Sequence, residues 1–592
     1  MGARSRSRSS CRSRRPISSP RSAAGGRAAA SSTRSGTWPP RAPPTPSAVR
    51  SRRRGPTTGS RSSTTAHRSG AMLEQGFGAL IHLGEVLVVG GALGVLVTIE
   101  LRRRALAWTW PALGLPAAFL FYAGGCGLAW WLASTAGYAL LWGARWHARD
   151  VRDGGDIAQR ARQRLTLGDA LRRHLARRET RRGRWVTSAG VVVGADARGL
   201  PMTIPFGGPS GHHCLVAGAT GAGKTVTKAW IAQRHIAAGS AAVVVDPKGD
   251  RLLYAALYAA ASAAGRPLLV WTPDGPCAYN PYRHGSDTEL ADKALAGETW
   301  TEPHYLRQAQ RYLGHVVRTM RAAGIAVTPA SLLAHLDPDT LETTSRTVDE
   351  HQAGVVQAYL DALGQRQRRD LSGVRDRLAI LAESDIAPWL EPREDTHTID
   401  LRQAIDSRAV VYFSLQADQR PLLAQMLAAA IVGDLIAATA HYQHHPTQAL
   451  VLVDEFAALA ARHVVRLFGR GRSAGISVLL GTQELADLRA ADSAGALQDQ
   501  VLGNLAALIA HRQNVPESAE LVARVAGTRP AWIRSQRVDD VDASAGSATR
   551  TRGHEYLIHP DEIKRLPVGH AVVIAPGRAV EPRIAQICWP SL

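Results

Sequence analysis

Apolar and polar positions alternate on three different length scales along this chain. From residue 80 to 99, "LIHLGEVLVVGGALGVLVTI", His82 and Glu85 are the only ionisable side chains. Arg102, Arg103 and Arg104 follow, and then 105–144 carries no charged side chain over 40 residues. A helix needs about 20 apolar residues to cross a bilayer, so the second run predicts a hairpin turning near Gly124 and Gly125. Trp108 and Trp110 would share one interface with Trp142 and Trp146, leaving Trp130 and Trp131 at the other. Three spans would put the Arg triplet and the stretch after Arg145 on the same, cytoplasmic side by the positive-inside rule. Two spans would leave the triplet outside.

The second scale is that of the buried strand. Short apolar runs at 215–217, 241–245, 268–271, 410–413, 450–453, 476–480 and 505–510 end in polar or turn residues and alternate with helical stretches. That pattern predicts an α/β fold with a mostly parallel sheet and helices on both faces. The third scale is helical. Between 286 and 400, "PHYLRQAQRYLGHVVRTMRAAG" and "SGVRDRLAILAESDIAPWL" repeat apolar residues every three and four positions, which predicts an all-α domain inserted into the sheet.

Charge changes this picture mainly at the N-terminus. The net charge is +22, but residues 1–71 hold 16 Arg and no Lys, Asp or Glu, leaving +6 for the rest. This Arg/Ser/Pro/Gly-rich segment cannot bury a core. It reads either as a disordered basic arm for nucleic acid or anionic lipid, or as upstream GC-rich DNA translated ahead of a start at Met72, the second being the expectation. From 145 to 184 there are 13 Arg against five acidic residues, a juxtamembrane composition suited to anionic headgroups. The division expected is 1–71 low-complexity, 72–145 transmembrane, 146–184 basic juxtamembrane, 185–285 and 401–592 the two parts of a nucleotide-binding domain, and 286–400 the helical insertion. Cys11, Cys126, Cys214, Cys277 and Cys588 are scattered, and the pairs His212–His213 and His444–His445 lack metal-site spacing, so neither a disulfide framework nor a zinc site is expected.

The chemistry lies in the strand ends. "GATGAGKT" follows an apolar strand and opens a helix, the context in which GxxxxGK[ST] binds phosphates. Gly218, Gly221 and Gly223 let the backbone of Gly218, Ala219, Thr220, Gly221, Ala222 and Gly223 wrap its N–H groups around an anion. Lys224 would neutralise the β- and γ-phosphates of ATP, and the Thr225 hydroxyl would ligate Mg²⁺. Downstream, "VLVDEF" ends a strand in Asp454, suited to holding Mg²⁺ through water, and Glu455, suited to polarising the attacking water. "SVLLGTQ" ends in Gln483, placed to touch the γ-phosphate, and "VVVDPKGD" ends a third strand at the same edge of the sheet.

Together, "GATGAGKT", "VVVDPKGD", "CAYNPY", "VLVDEF", "GRGRSAGISVLLGTQ" and "QVLGN", behind an apolar leader, resemble the type IV secretion coupling proteins, the TraD/TraG-like group of the FtsK/HerA class of P-loop motors. The resemblance covers 185–592. It implies a RecA/FtsK-like P-loop fold with an inserted all-α domain and N-terminal transmembrane helices. It also implies a hexameric ring ATPase at the inner membrane that recruits a relaxase–DNA complex and passes single-stranded DNA, or protein, towards a secretion channel. Rings of this class place an arginine on the neighbour's γ-phosphate; Arg472, with Arg470 as the alternative, matches that position. Two features depart from the family pattern: three spans are expected instead of two, and no long acidic C-terminal tail is expected. Competing readings are an ATP-dependent docking receptor for protein effectors and an FtsK/HerA-like DNA translocase outside conjugation.

Overall fold

The computed structural model describes residues 64–104, 106–152, 167–187, 190–207, 210–296, 302–459, 461–491, 495–536, 548–576 and 581–590. The Arg-rich segment before residue 64, and 153–166 of the basic stretch, lie outside the described residues. Compactness divides the chain between Ala79 and Leu80. Of the first unit only helical residues from 64 onward are described; the second unit holds the rest of the apolar leader, the sheet and the inserted helices.

The apolar leader forms helices Thr64–Arg103, Gly114–Ala123 and Leu128–Arg152. The last two form the expected hairpin, and Gly125 makes its turn at φ +71°. The first and last pack through small residues. A Cβ on Gly94 would lie 2.7 Å from Tyr138 Cβ and 2.9 Å from Ala139 N. Ser134 Oγ donates to Val86 O at 2.9 Å, and Thr98 Oγ1 to Ala139 O at 3.3 Å. Outward-facing Val88, Phe119 and Leu120 are 69–74% exposed, an apolar surface that water does not favour.

Three full spans are not formed. The middle leg, Trp110–Leu113 plus Gly114–Ala123, has 4 and 10 residues. That is about 20 Å of helix, against a hydrocarbon core of about 30 Å. Among the described residues, Phe77–Arg103 and Pro421–Tyr442 are long and apolar enough to cross, and the second is a mostly buried core helix.

The α/β body is built on a 12-stranded sheet. Its strands are β1 (Val186–Thr187), β2 (Gly190–Asp196), β3 (Pro201–Ile204), β4 (Cys214–Ala217), β5 (Ala241–Asp246), β6 (Leu268–Trp271), β7 (Val410–Ser414), β8 (Ala449–Val453), β9 (Ile476–Thr482), β10 (Ala507–Ala510), β13 (His570–Ile574) and β14 (Arg583–Ile587), with β11 (Thr528–Gln536) and β12 (Ala548–Tyr556) forming a separate ribbon. The order is β1-β2-β14-β13-β10-β4-β9-β8-β5-β7-β6, with β3 on β2. The seven strands from β10 to β6 are all parallel. Every residue of β4, β5, β8 and β9 is buried, which is why they read as mostly apolar runs. Helices Lys224–Ala237 and Arg251–Ala263 cover one face and Pro421–Tyr442 the other, each over its own apolar core. Near the C-terminus β13 pairs antiparallel with β10, and β14 follows it and leads to β2. The antiparallel flank β1–β3 and β14 was not among the expected strands.

Six helices between Asp287 and Ala382 form a third core around Leu313, Val316, Leu332, Leu341, Val356 and Leu378. Its two ends meet where His284 Nε2 and Arg283 Nε reach Asp400 Oδ2 at 2.6 and 3.3 Å. A buried Lys293–Asp434 ion pair ties the helical body to the core helix, and the Tyr279 hydroxyl donates to the same carboxylate at 2.6 Å.

Candidate nucleotide site

Loop 218–223 leaves β4 and is held by the tips of both neighbouring strands. Gly218 N donates to Gln483 O at 2.9 Å, past β9, and Ala219 N to Arg512 O at 2.8 Å, past β10. Gly221 and Gly223 take φ of +74° and +111°, conformations that carry a steric cost for any side chain. Gly218 is required for a different reason: its Cβ would stand 2.5 Å from that of His511. The helix Lys224–Ala237 starts directly after the loop, so the loop N–H groups and the helix N-terminus share one concavity, the geometry of a phosphate cradle.

Lys224 folds back over this loop, donating from Nζ to Gly218 O at 2.5 Å and Ala219 O at 3.3 Å. Burial, then the neighbouring Lys228, pushes its pKa down. The Thr225 hydroxyl donates to Asp250 Oδ2 at 3.2 Å. Asp250 caps helix Arg251–Ala263 by accepting from Leu252 N and Leu253 N. The turn carrying it, "DPKGD", is braced by Asp246, whose carboxylate accepts from Lys248 N (2.9 Å), Asp250 N (2.7 Å) and the Tyr412 hydroxyl (2.8 Å). Burial, then Asp246, drives the Tyr412 pKa upward, so that hydroxyl stays a donor.

The opposite wall is the end of β8. Asp454 Oδ2 pairs with Lys228 Nζ, and its Oδ1 accepts from Glu455 N at 3.0 Å. The approach is close enough to demand glycine opposite: a Cβ on Gly481 would lie 2.1 Å from Asp454 Oδ1. Glu455 sits at φ +44°. Its Oε1 meets Lys248 Nζ at 2.5 Å and accepts from Gln483 Nε2 at 3.0 Å, while Gln483 Oε1 accepts from Thr220 Oγ1 at 3.3 Å. A contact chain therefore runs from the loop through Gln483 to Glu455.

Beneath the loop, His511 bridges Thr227 Oγ1 (2.8 Å) and His570 O (2.9 Å). Burial lowers its pKa to about 4, with Lys224 and Lys228 adding to the effect, so it is neutral near pH 7. Thr225, Asp250 and Asp454 present hard oxygen donors of the kind Mg²⁺ takes. No group of three or more His, Cys, Asp or Glu that could hold a metal occurs among the described residues. By their donor chemistry, Thr225 and Asp454 fit Mg²⁺.

The structure brings residues 218–225, Asp454, Glu455 and Gln483 together at one edge of the sheet. It does not bring Arg472 or Arg470 there. Arg472 O accepts from Gly211 N before β4 begins, and Arg470 lies in the helix Ala461–Gly471 before β9, so both are at the opposite edge. The 7 residues of β9 separate them from Gln483, about 23 Å of strand. Lys228, Lys248, Asp250 and His511 were not foreseen. The "DPKGD" turn was visible in sequence, but nothing local says which of its side chains turn towards the loop.

Residues 200–585 match the family model of the type IV secretion-system coupling protein DNA-binding domain. No curated protein matches significantly. Similar solved structures include the bacterial conjugative coupling protein TrwBΔN70, 18% identical over 71% of this chain and 91% of that one, with a TM-score of 0.49. TrwB bound to a non-hydrolysable ATP analogue is 18% identical over 69% and 90%, with a TM-score of 0.49. VirB4 of Thermoanaerobacter pseudethanolicus is 14% identical over 68% and 97%, with a TM-score of 0.45. The sequence match spans well over half the chain and coincides with the P-loop body, and on that ground the chain belongs to the type IV secretion-system coupling protein DNA-binding domain family.

Proposed function

We propose that this protein is an ATP-driven coupling motor. Its apolar leader anchors it in the cytoplasmic membrane, and six copies form a ring. The ring takes up relaxase-bound single-stranded DNA and passes it towards a secretion channel. The observation that carries the reading is the contact chain Thr220–Gln483–Glu455, which ties an anion cradle to a carboxylate placed for general-base work.

In this reading the N–H groups of 218–223 and the Lys224 ammonium hold the triphosphate. Mg²⁺ would supply charge neutralisation to the phosphates when bound. Thr225 and Asp454 would hold that ion, the latter through water. Glu455 takes a proton from the attacking water, and Gln483 reports the state of the γ-phosphate to the end of β9. Arg472, too far to reach its own loop, serves the adjacent copy, where its charge stabilises the phosphoryl group in flight. Residues 286–400 form the body at the mouth of the ring.

The test is ATP turnover by the full chain in detergent, with and without single-stranded DNA, alongside its native mass. Turnover stimulated by DNA in a hexamer supports the motor. Turnover indifferent to DNA but stimulated by a secreted protein gives the docking-receptor reading instead. Neither turnover nor self-association overturns both.

A further inference from the structure

We propose that Lys248, in the turn after β5, is a positioning residue for hydrolysis: it pins one oxygen of Glu455 so that the other is left to accept the proton of the attacking water. This rests on the nucleotide-site reading above. Both Lys248 Nζ, at 2.5 Å, and Gln483 Nε2, at 3.0 Å, approach the same atom, Glu455 Oε1. Among the described residues no hydrogen bond or ion pair is formed to Oε2.

A glutamate at this position needs such a pin. Its backbone is fixed, at φ +44° with its N–H on Asp454 Oδ1, but its carboxylate stands on a flexible two-methylene stem. Gln483 alone supplies a hydrogen bond from a neutral donor; the Lys248 ammonium adds a second contact in which donor and acceptor are both charged.

The turn that presents the lysine is itself rigid. Asp246 accepts from the backbone of Lys248 and Asp250, and Gly249, at φ +72°, passes so close to Ser414 that a Cβ would lie 2.7 Å from its Oγ. Stability does not explain this bracing. The lysine side chain is 44% exposed, and an exposed ion pair contributes no more than about 1 kcal/mol. Orientation does. In the step served, water loses a proton to Glu455 Oε2 and its oxygen bonds to the γ-phosphorus. The bond from that phosphorus to the bridging oxygen breaks, ADP leaves, and the proton passes on to phosphate.

The experiment measures kcat and KM for ATP of the full-length protein as wild type, Lys248→Met, Lys248→Arg, Glu455→Gln and the double variant Lys248→Met/Glu455→Gln. Lys248→Met should lower kcat about 10-fold with KM within about twofold, the signature of an interaction used only in the transition state. Lys248→Arg should recover most of the loss. In the Glu455→Gln background Lys248→Met should cost nothing further, because the carboxylate it positions is gone. A raised KM at unchanged kcat would make Lys248 a phosphate ligand instead. An equal loss in both backgrounds, or no loss at all, would also overturn the proposal. Wild type that neither binds nor hydrolyses ATP would sink the underlying site reading, a separate outcome from wild-type turnover with a silent Lys248→Met.

Discussion

Lys228 and Asp454 form a buried ion pair beneath the nucleotide loop, their side chains only 2% and 10% exposed and their positions 226 residues apart in the chain. Lys228 lies one turn beyond Lys224 on the same helix and points inward where Lys224 points into the loop. It gives the strand-end carboxylate a built-in counter-charge. Replacing it by Met leaves Asp454 buried and unpaired, a change that costs about 3–5 kcal/mol. The drop should appear as a lowered denaturant midpoint of the full-length protein. Adding Asp454→Asn should recover part of it, and a loss below about 1 kcal/mol would show that water already reaches the pair.

Asp250 holds two partners at once, the Thr225 hydroxyl and the N-terminus of helix Arg251–Ala263. Asp250→Ala should therefore cost about 1 kcal/mol of stability through the lost cap. Asp250→Asn keeps a capping oxygen and should fold as wild type. It removes the carboxylate beside Thr225, however, and should raise the Mg²⁺ concentration for half-maximal turnover about 10-fold, as outer-shell changes do. A Mg²⁺ titration of both variants separates the two roles.

Burial depresses His213 and His511 to a pKa of about 4 and His235 to about 3, each well under the 6.5 of an exposed imidazole. The unfolded chain thus binds protons that the folded chain refuses. The stability these groups lend is complete above pH 6.5 and declines as pH falls towards 4, by about 1.4 kcal/mol per pH unit for each histidine. Thermal midpoints should be flat above neutrality and fall steeply below pH 6. His235, whose Nδ1 has no hydrogen-bond partner among the described residues and whose ring packs edge-on against Phe206, can be replaced by Leu, which should flatten that slope.

Nucleotide binding and hydrolysis should come apart by mutation. Lys224→Ala removes the ammonium that folds over the loop and should abolish ATP binding in a fluorescent-nucleotide titration. Glu455→Gln keeps the loop intact. It should bind ATP normally while turning it over at least about 100-fold more slowly, the loss expected for a missing general base. Near-normal turnover would remove Glu455 from that role.

Arg472→Ala should leave ATP affinity untouched and abolish turnover only in assembled rings, since the length of β9 keeps this arginine from its own loop. Turnover measured across a protein dilution series decides it. An equal defect at concentrations where rings dissociate would exclude action in trans.

Much of the fold was readable because its central strands are buried on both faces. β4, β5, β8 and β9 are buried throughout and therefore mostly apolar, so they stand out as apolar runs, and the polar residues that stop them mark the edge where ligands bind. The antiparallel flank lacks that mark. β14, "RIAQI", has one fully buried residue, and its partner β2 was hidden in a Gly-rich stretch. The leader misled for a related reason. An uncharged run of 40 residues admits two full spans by composition, but Trp110-Pro111 starts its first leg late and Gly124-Gly125 ends it early.

Composition and spacing by themselves determined the seven parallel strands, where the glycine-rich loop lies and which acids end which strands, because those properties depend on neighbours a few residues away. Only the folded sheet decided which charges meet. Lys248 reaches Glu455, Lys228 reaches Asp454, and Gln483 links Thr220 to Glu455 because β5, β8, β9 and β4 are adjacent in space in an order the chain does not follow. Ion pairs and hydrogen bonds act over a few ångströms, so their partners are fixed by strand order and not by distance along the sequence.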